Sequence, residues 1–316
     1  MASGRRSLHG GTGRRLKSRA SHLGWALTLT ASSLLGATLA HAMARLEVVH
    51  PSVSAPAQHP PPAPSYEPCP SSLPVGMACI PGGAFTRGAD DDEASARPAE
   101  SVRVSTFLIA THEVTNAQWN ACIREDACRR LVPFRGYLGE TQPAVGMRWD
   151  EASAFCARSG GRLPSEAEWE RAASGPEDTR YQWGNEPGDV CENAVVRVRA
   201  GRGCGRETTW PVGSRAASPW GLFDMTGNVW EWTQDAYTEC YQGCTRACGD
   251  ACSGLDPRGP CGGAAECPES RGLRVVRGGA WWHEIDRAET HSRRGVPAAN
   301  PNPHRFGFRC AADLPR

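Results

Sequence analysis

The densest run of side chains able to hold a metal ion or move a proton is "HEIDRAETH", residues 283–291. Its two histidines, His283 and His291, together with a neighbouring carboxylate would offer the nitrogen and oxygen donors that suit iron or zinc. The alternative is a solvated polar rim, in which Arg287, Arg293 and Arg294 pair with acidic side chains across a loop and each pair contributes about 0–1 kcal/mol. We favour the rim.

Cysteine is the other abundant reactive residue, with fourteen in the chain. Six fall in a glycine-rich insert at residues 240–267: Cys240, Cys244, Cys248, Cys252, Cys261 and Cys267. Four of these recur at every fourth residue and would line one face of a helix, which would permit a soft-metal site. The glycine content and an oxidising compartment favour three disulfides in a loop instead. Because the number of cysteines is even, every one of them can form a disulfide.

The first 74 residues carry targeting signals rather than folding signals. Residues 1–44 combine a basic start with an apolar run at residues 23–40 and the small-residue sequence "AHA", which predicts a signal peptide or an N-terminal membrane anchor. Residues 45–74 are proline-rich and predict a semi-extended linker. We therefore expect an extracytoplasmic protein, periplasmic, cell-surface or secreted, with a membrane tether through residues 23–40 if the signal is not cleaved. The net charge of +1 gives no reason to expect a nucleic-acid partner.

Residues 75–316 hold the elements that must position these side chains. "MACIPGGAF" predicts two strands about a turn, and Thr115 is a suitable N-cap for the helix "NAQWNACI". "RWDEASAFCARSG" has apolar residues at helical spacing, and Ser165 and Glu168 of "LPSEAEWERAAS" form a capping box. With 35 glycines, 25 prolines and 11 tryptophans, the remainder predicts a loop-rich domain held by aromatic packing and cross-links.

Seven sequence blocks, in order, resemble the formylglycine-generating enzyme family, also called the sulfatase-modifying factor family. They are "IPGGAFTRG", "HEVTNAQW", "GRLPSEAEWERAA", "YQWGN", "PVGSRAASPWGLFDMTGNVWEWT", "RVVRGGAWW" and "GFRCA". Together they cover about residues 75–312, essentially the whole domain. The resemblance implies an α+β architecture with the family's modified C-type-lectin-like fold, a loop-rich single domain.

The resemblance also locates the family's reaction centre. In formylglycine-generating enzymes, two cysteines after a "GGS" turn bind copper(I), activate oxygen and oxidise a cysteine of a sulfatase to formylglycine. Aligned on "RVVRGGAWW", this chain has His283 and Ala288 at the two cysteine positions and Ala280 at the serine position. No thiol lies between Cys267 and Cys310. The sequence therefore resembles a member that lacks the two catalytic cysteines, and we do not expect copper.

A structural calcium site is implied by the same resemblance. Its ligands map onto the carboxylates of Asp224 and Glu231 and the backbone carbonyls of Gly227 and Val229, a hard oxygen set that suits calcium. The alternative is a buried acid that caps a turn without a metal.

The resemblance pairs Cys156 with Cys310, which would join the middle of the domain to its end. The remaining cysteines outside the insert are close in sequence. Cys122 with Cys128 and Cys191 with Cys204 could pair locally, and Cys69 and Cys79 flank the start of the domain.

These observations favour an exported family member that is catalytically silent for formylglycine formation and acts by binding. The former active-site groove would present five side chains to a protein, peptide or glycan: Trp281, Trp282, His283, Arg287 and His291. The alternative is an oxidase, either of the formylglycine-generating type or a metal enzyme that uses histidines and carboxylates of the same groove. The sequence does not identify its catalytic residues.

Overall fold

The computed structural model describes residues 66–314, except residues 133, 265 and 300–302. The predicted signal peptide or anchor at residues 1–44 and most of the linker lie outside the described residues. Everything described belongs to one compact unit, residues 62–316. Within it, no helix has the length and apolar character needed to cross a membrane.

Within the described residues, nine short strands form three sheets. They are β1 (Met77–Ile80), β2 (Gly83–Arg87), β3 (Glu100–Val104), β4 (Phe107–Ala110), β5 (Trp230–Ala236), β6 (Leu273–Arg277), β7 (Arg293–Pro297), β8 (Phe306–Gly307) and β9 (Ala311–Asp313). The sheets have the orders β1-β4-β9, β2-β3 and β7-β6-β5-β8. All pairings are antiparallel except β5 with β8, so the end of the chain closes the largest sheet.

Five α-helices complete the fold: α1 (Asn116–Arg124), α2 (Trp149–Arg158), α3 (Glu166–Ser174), α4 (Val190–Asn193) and α5 (Tyr241–Cys248). Thr115 caps α1, and Ser165 caps α3 in a capping box with Glu168, as the sequence predicts. Helices and mostly antiparallel strands joined by long loops confirm the α+β class and its loop-rich character.

Aromatic side chains fill two adjoining cores. One gathers rings from α1, β5 and the segment after β6, among them Trp119, Trp230, Trp232 and Trp281. The other surrounds Trp169 of α3, a helix that contacts β2, β3, β5 and β6. The expectation of aromatic packing is confirmed.

Two fully buried arginines bind elements together. Arg277, at the end of β6, donates to Glu166 and Glu170 on α3. Arg309 forms a two-pronged pair with Glu231 of β5, with both N–O distances 2.7 Å. Removing one member of such a pair would leave a buried charge without its partner, which strongly destabilises a fold. Each pair therefore holds together the two elements that it joins.

Six disulfides are present. Cys156–Cys310 joins residues 154 apart and agrees with the pairing implied by the resemblance. The local pairs are Cys69–Cys79, Cys122–Cys128, Cys191–Cys204, Cys244–Cys252 and Cys261–Cys267.

The prediction of three disulfides in the insert is wrong, because Cys240 and Cys248 are free thiols. They lie immediately before and at the end of α5. Eight helical residues separate cysteines by about 12 Å, whereas a disulfide needs Cα atoms within about 7 Å. The insert therefore combines a short helix with two disulfides, and two of its six cysteines remain free thiols.

Candidate functional site

Two glycines redirect the chain at the end of β6. Gly278 and Gly279 both have positive φ, 89° and 72°. A Cβ on Gly278 would lie 2.9 Å from the Trp169 ring, and one on Gly279 would lie 2.6 Å from the Cβ of Ala288. Since only glycine tolerates both the conformation and the contact, this turn sends the next three residues, "AWW", across the core and brings His283 to its edge.

The imidazole of His283 is held in its neutral form. The indole Nε1 of Trp230 donates to His283 Nδ1 at 3.2 Å, so the ring proton resides on Nε2. Burial is the main cause that lowers the pKa of His283 to about 4. The positive charges of nearby arginines add to this effect, in the order Arg294, Arg305, Arg287. His283 is therefore a neutral hydrogen-bonding group at physiological pH.

A cavity of about 470 Å³, here called the His283 pocket, opens beside this ring. Aromatic and cationic side chains dominate its lining: Trp230, Tyr237, His283, Arg287, Arg293 and Arg294. Arg287 pairs with Glu93, which also lines the pocket, and Arg293 is buried against Glu166. Exposed Arg294 has no carboxylate within ion-pair distance among the described residues. The pocket therefore carries positive charge that the protein leaves available.

Trp282 lies beside the pocket between two guanidinium groups. Arg202 and Arg305 stand over its ring at 3.3 Å and 4.2 Å from the centroid. Trp282 and His283 also line a neighbouring cavity of about 300 Å³. The stacking extends the cationic surface, because each guanidinium is held against the ring face, although Arg202 also lies 3.9 Å from a carboxylate oxygen of Glu207.

The structure does not bring all five predicted groove residues together. His283 and Arg287 line the His283 pocket, and Trp282 borders it. Trp281 is buried in the core, where its Nε1 donates to the carbonyl of His304. His291 is also buried and lines a different cavity. Trp281 and His291 are therefore corrections to the predicted groove.

The three residues that the resemblance aligns with the family's reaction centre occupy distinct environments. Ala280 and Ala288 are fully buried, and Ala288 packs with Ala194 and Val196. Only His283 of the three reaches a cavity. The sequence prediction of a polar rim is correct for Arg287, which is exposed, whereas Arg293 is buried and belongs to the interior.

His291 is grouped with acidic residues rather than with His283. Its Nε2 lies 2.9 Å from Glu289 Oε2 and 3.3 Å from Asp92 Oδ2. Among the described residues, these three form the one group of histidine, cysteine or carboxylate side chains compact enough to hold a metal ion. Sequence reasoning missed Asp92, which lies in the acidic run "DDDE" at residues 90–93 and reaches His291 only through the tertiary fold.

The four predicted calcium ligands lie where buried carboxyl groups outnumber the guanidinium groups bonded to them. Asp224, Glu231 and nearby Glu113 are all at most 3% exposed, and the one guanidinium bonded to them is that of Arg309. Burial raises the pKa of Asp224 to about 6 and raises that of Glu113 well above its usual range.

Both oxygens of Glu231 already accept hydrogen bonds from Arg309, and Oε2 accepts a second one from the indole of Trp169, while Asp224 Oδ2 accepts from the N–H of Gly213. The excess of carboxylates fits a divalent cation, which would bind through lone pairs that these bonds leave open. Calcium at Asp224, Gly227, Val229 and Glu231 stays a prediction.

Comparison with known proteins places this geometry in a family. The chain is 30% identical over 305 residues to the formylglycine-generating enzyme of Thermomonospora curvata, across 77% of this chain and 95% of that enzyme. It is 34% identical over 269 residues to the serine/threonine-protein kinase Pkn1 of Chlamydia trachomatis. That match covers 78% of this chain but 39% of the kinase, so the chain spans well under half the length of this relative.

Among solved structures, PvdO from Pseudomonas aeruginosa is similar with a TM-score of 0.60 and 25% identity, across 75% of this chain and 94% of that one. Residues 63–314 match the sulfatase-modifying factor enzyme 1-like domain. Since that match takes in almost every described residue, the chain belongs to the sulfatase-modifying factor family and has its modified C-type-lectin-like fold.

Proposed function

We propose that this chain is an exported family member that does not form formylglycine and instead binds an acidic peptide segment of a partner protein in the His283 pocket. The observation that carries the proposal is the lining of that pocket. There a neutral imidazole and the guanidinium of Arg294, which has no carboxylate partner among the described residues, line the cavity, and no sulfur atom lies among the described lining residues.

The family's oxidation chemistry has no thiolate pair to work with here. An imidazole at His283 and a buried methyl group at Ala288 cannot supply the two soft thiolates that hold copper(I). The free cysteines, Cys240 and Cys248, do not line the His283 pocket. Copper and oxygen activation therefore have no support in this pocket.

The arginines give the pocket its preference for acidic ligands. A guanidinium presents a rigid fork that matches a carboxylate, and Arg294 is exposed without a carboxylate partner of its own among the described residues. Arg305 and Arg202 extend the same charge along Trp282. Trp230 and Tyr237 supply apolar walls, the combination of aromatic and arginine side chains that dominates binding hot spots.

Export is the second part of the proposal. Six disulfides in the described residues are typical of an oxidising compartment. A signal peptide or a membrane tether through residues 23–40 would deliver the domain there, and the linker at residues 45–74 would hold it clear of the surface. Calcium at the Asp224 site belongs to the same proposal, as a structural ion.

Loss of the family reaction is tested by incubating purified protein with copper(I), oxygen and a peptide that contains the CxPxR sequence. We expect the peptide's cysteine to remain unchanged by mass spectrometry. Conversion of that cysteine to an aldehyde would overturn this part of the proposal.

Binding is tested by titrating the protein with hexaglutamate in a calorimeter, with hexalysine as the ligand of opposite charge. We expect saturable binding of hexaglutamate alone and about tenfold weaker binding by Arg294→Ser, the loss of roughly one charge-assisted pair. Arg103→Ser, at an exposed arginine of β3, is the matched control and should bind as the parent does. Equal weakening by both variants, or binding of a heparin hexasaccharide but not hexaglutamate, would contradict an acidic peptide as the ligand.

A further inference from the structure

We infer that Asp92, Glu289 and His291 form a binding site for a divalent transition-metal ion, separate from the His283 pocket and from the predicted calcium site. The inference goes beyond the proposed function and does not depend on it, because none of the three residues lines the His283 pocket.

The spacing of the donor atoms is that of ligands around one ion. A metal with bonds of about 2.0–2.2 Å to nitrogen and oxygen places neighbouring ligand atoms about 3 Å apart. Nε2 of His291 lies 2.9 Å from Glu289 Oε2 and 3.3 Å from Asp92 Oδ2, and all three donor atoms lie within 4.8 Å of one another. A small ion between them needs little rearrangement.

The nitrogen of His291 is buried without a hydrogen bond. Its Nε2 is inaccessible to solvent, and neither neighbouring carboxylate meets hydrogen-bond geometry within the described part of the chain. A buried polar nitrogen with no hydrogen bond is costly. Its position between two carboxylate oxygens, at ligand spacing but off the direction of an N–H bond, points to an ion as the missing partner.

Surrounding groups hold the ligands in place. Arg180 and the hydroxyl of Tyr181 both donate to Glu289 Oε1, which leaves Oε2 to face His291. The buried guanidinium of Arg277 donates to the carbonyls of Thr290 and His291. In metal sites, hydrogen bonds of this kind from surrounding residues hold the ligands in the orientation that the metal requires.

An ion can reach the group and keep an open coordination position. Asp92 and Glu289 line a cavity of about 250 Å³, while His291 lines another of about 300 Å³. Asp91, Asp92 and Glu93 of the acidic run line the first of these cavities and favour the approach of a cation. Three protein ligands beside a cavity leave room for water or an oxygen ligand.

The ligand set defines the class of metal. One imidazole and two carboxylates suit zinc, manganese(II) or iron(II), whereas copper(I) prefers thiolates and calcium prefers oxygen alone. The site therefore differs in chemistry from both metals associated with the family resemblance.

The test uses the untagged full chain carrying Cys240→Ser and Cys248→Ser, because free thiols bind zinc on their own. Zinc and manganese(II) are titrated separately by calorimetry, and manganese is also followed by electron paramagnetic resonance. We expect one ion per chain, and at least tenfold weaker binding in Asp92→Asn, Glu289→Gln and His291→Gln. Circular dichroism melts identify any variant that does not fold, and a folded one of the three suffices.

Two controls separate this site from its neighbours. Asp286→Asn removes a carboxylate that lines the same cavity as Asp92 but lies outside the donor group, and His283→Gln removes the other histidine of the segment. Both should bind metal as the parent does. Absence of stoichiometric binding, or loss of binding in His283→Gln but not in His291→Gln, overturns the inference. Since metal alone is the probe, failure here leaves the hexaglutamate result unaffected.

Discussion

At the scale of single residues, the position of His283 changes what this pocket can do. A thiolate there would be a soft nucleophile and metal ligand, whereas a neutral imidazole bonded to Trp230 is a hydrogen-bonding group. The surrounding arginines reinforce that state, since each added positive charge makes protonation of the ring less favourable. The same charges attract an acidic ligand, so one electrostatic environment sets both properties.

The lowered pKa of His283 predicts a pH dependence of stability. Between about pH 4 and pH 6.5, His283 is protonated in the unfolded chain but stays neutral in the folded protein. The free energy of unfolding should therefore fall as the pH is lowered through this window. We expect His283→Gln to be less stable than the parent at about pH 8, and the difference to shrink at about pH 5. Urea unfolding followed by circular dichroism measures both, and a difference that stays constant with pH would contradict the assignment.

The carboxylates around Asp224 make a second residue-scale prediction. Because three buried carboxyl groups meet one bonded guanidinium, calcium should stabilise the fold by about 2.7 kcal/mol at a free concentration about 100 times its Kd. Thermal melts in calcium and in EGTA measure the effect, with magnesium as the control cation. Asp224→Asn should abolish the response, and equal melting temperatures for the parent in calcium and EGTA would refute calcium binding.

At the scale of secondary-structure elements, β6 and the turn after it organise the site. The strand ends at Arg277, which anchors it to α3 and also fixes the carbonyls of Thr290 and His291. The capped helices were predictable because capping boxes are local signals. The division of residues 280–291 among the core, the His283 pocket and the cluster of Asp92, Glu289 and His291 was not, because it depends on one turn of two glycines and on buried Arg277, whose carboxylate partners lie far along the chain.

Arg277 therefore carries the element-scale prediction. Arg277→Met should lower the free energy of unfolding by about 3–5 kcal/mol, because it leaves buried Glu170 without its cation, while Glu166 keeps Arg293. Arg158→Met breaks an exposed pair with Glu125 and should cost less than about 1 kcal/mol. Urea unfolding measures the loss of stability in each variant, and the comparison is matched because both variants replace one arginine by methionine. Equal losses in the free energy of unfolding would show that burial of the Arg277 pair contributes nothing to stability.

At the scale of the whole molecule, the order of seven sequence blocks predicts the fold, whereas the contacts between distant segments are visible only in three dimensions. Ser292 and Asp92, which are 200 residues apart, lie within hydrogen-bond distance, and no local pattern links them. The α5 helix was missed for another reason. Its cysteine spacing is helical, but glycine content argued for a loop, and the Cys244–Cys252 bridge ties the helix to the turn that follows it.

The disulfides make the prediction that depends on the whole chain. In the chain-entropy account, a bridge stabilises by restricting the unfolded state, and more so for a longer loop. Cys156–Cys310 closes 154 residues and Cys122–Cys128 closes six, which corresponds to about 5 and about 2 kcal/mol. Replacing each pair by serines should therefore lower stability in that order, as measured by urea unfolding.

Both pairs lie partly in the aromatic core, so the loss of buried sulfur is similar in the two double variants and the difference between them reports loop length. If the short-loop variant were as destabilised as the long-loop variant, local packing around the sulfurs, rather than the tie between the middle and the end of the domain, would account for the stability that the bridges provide.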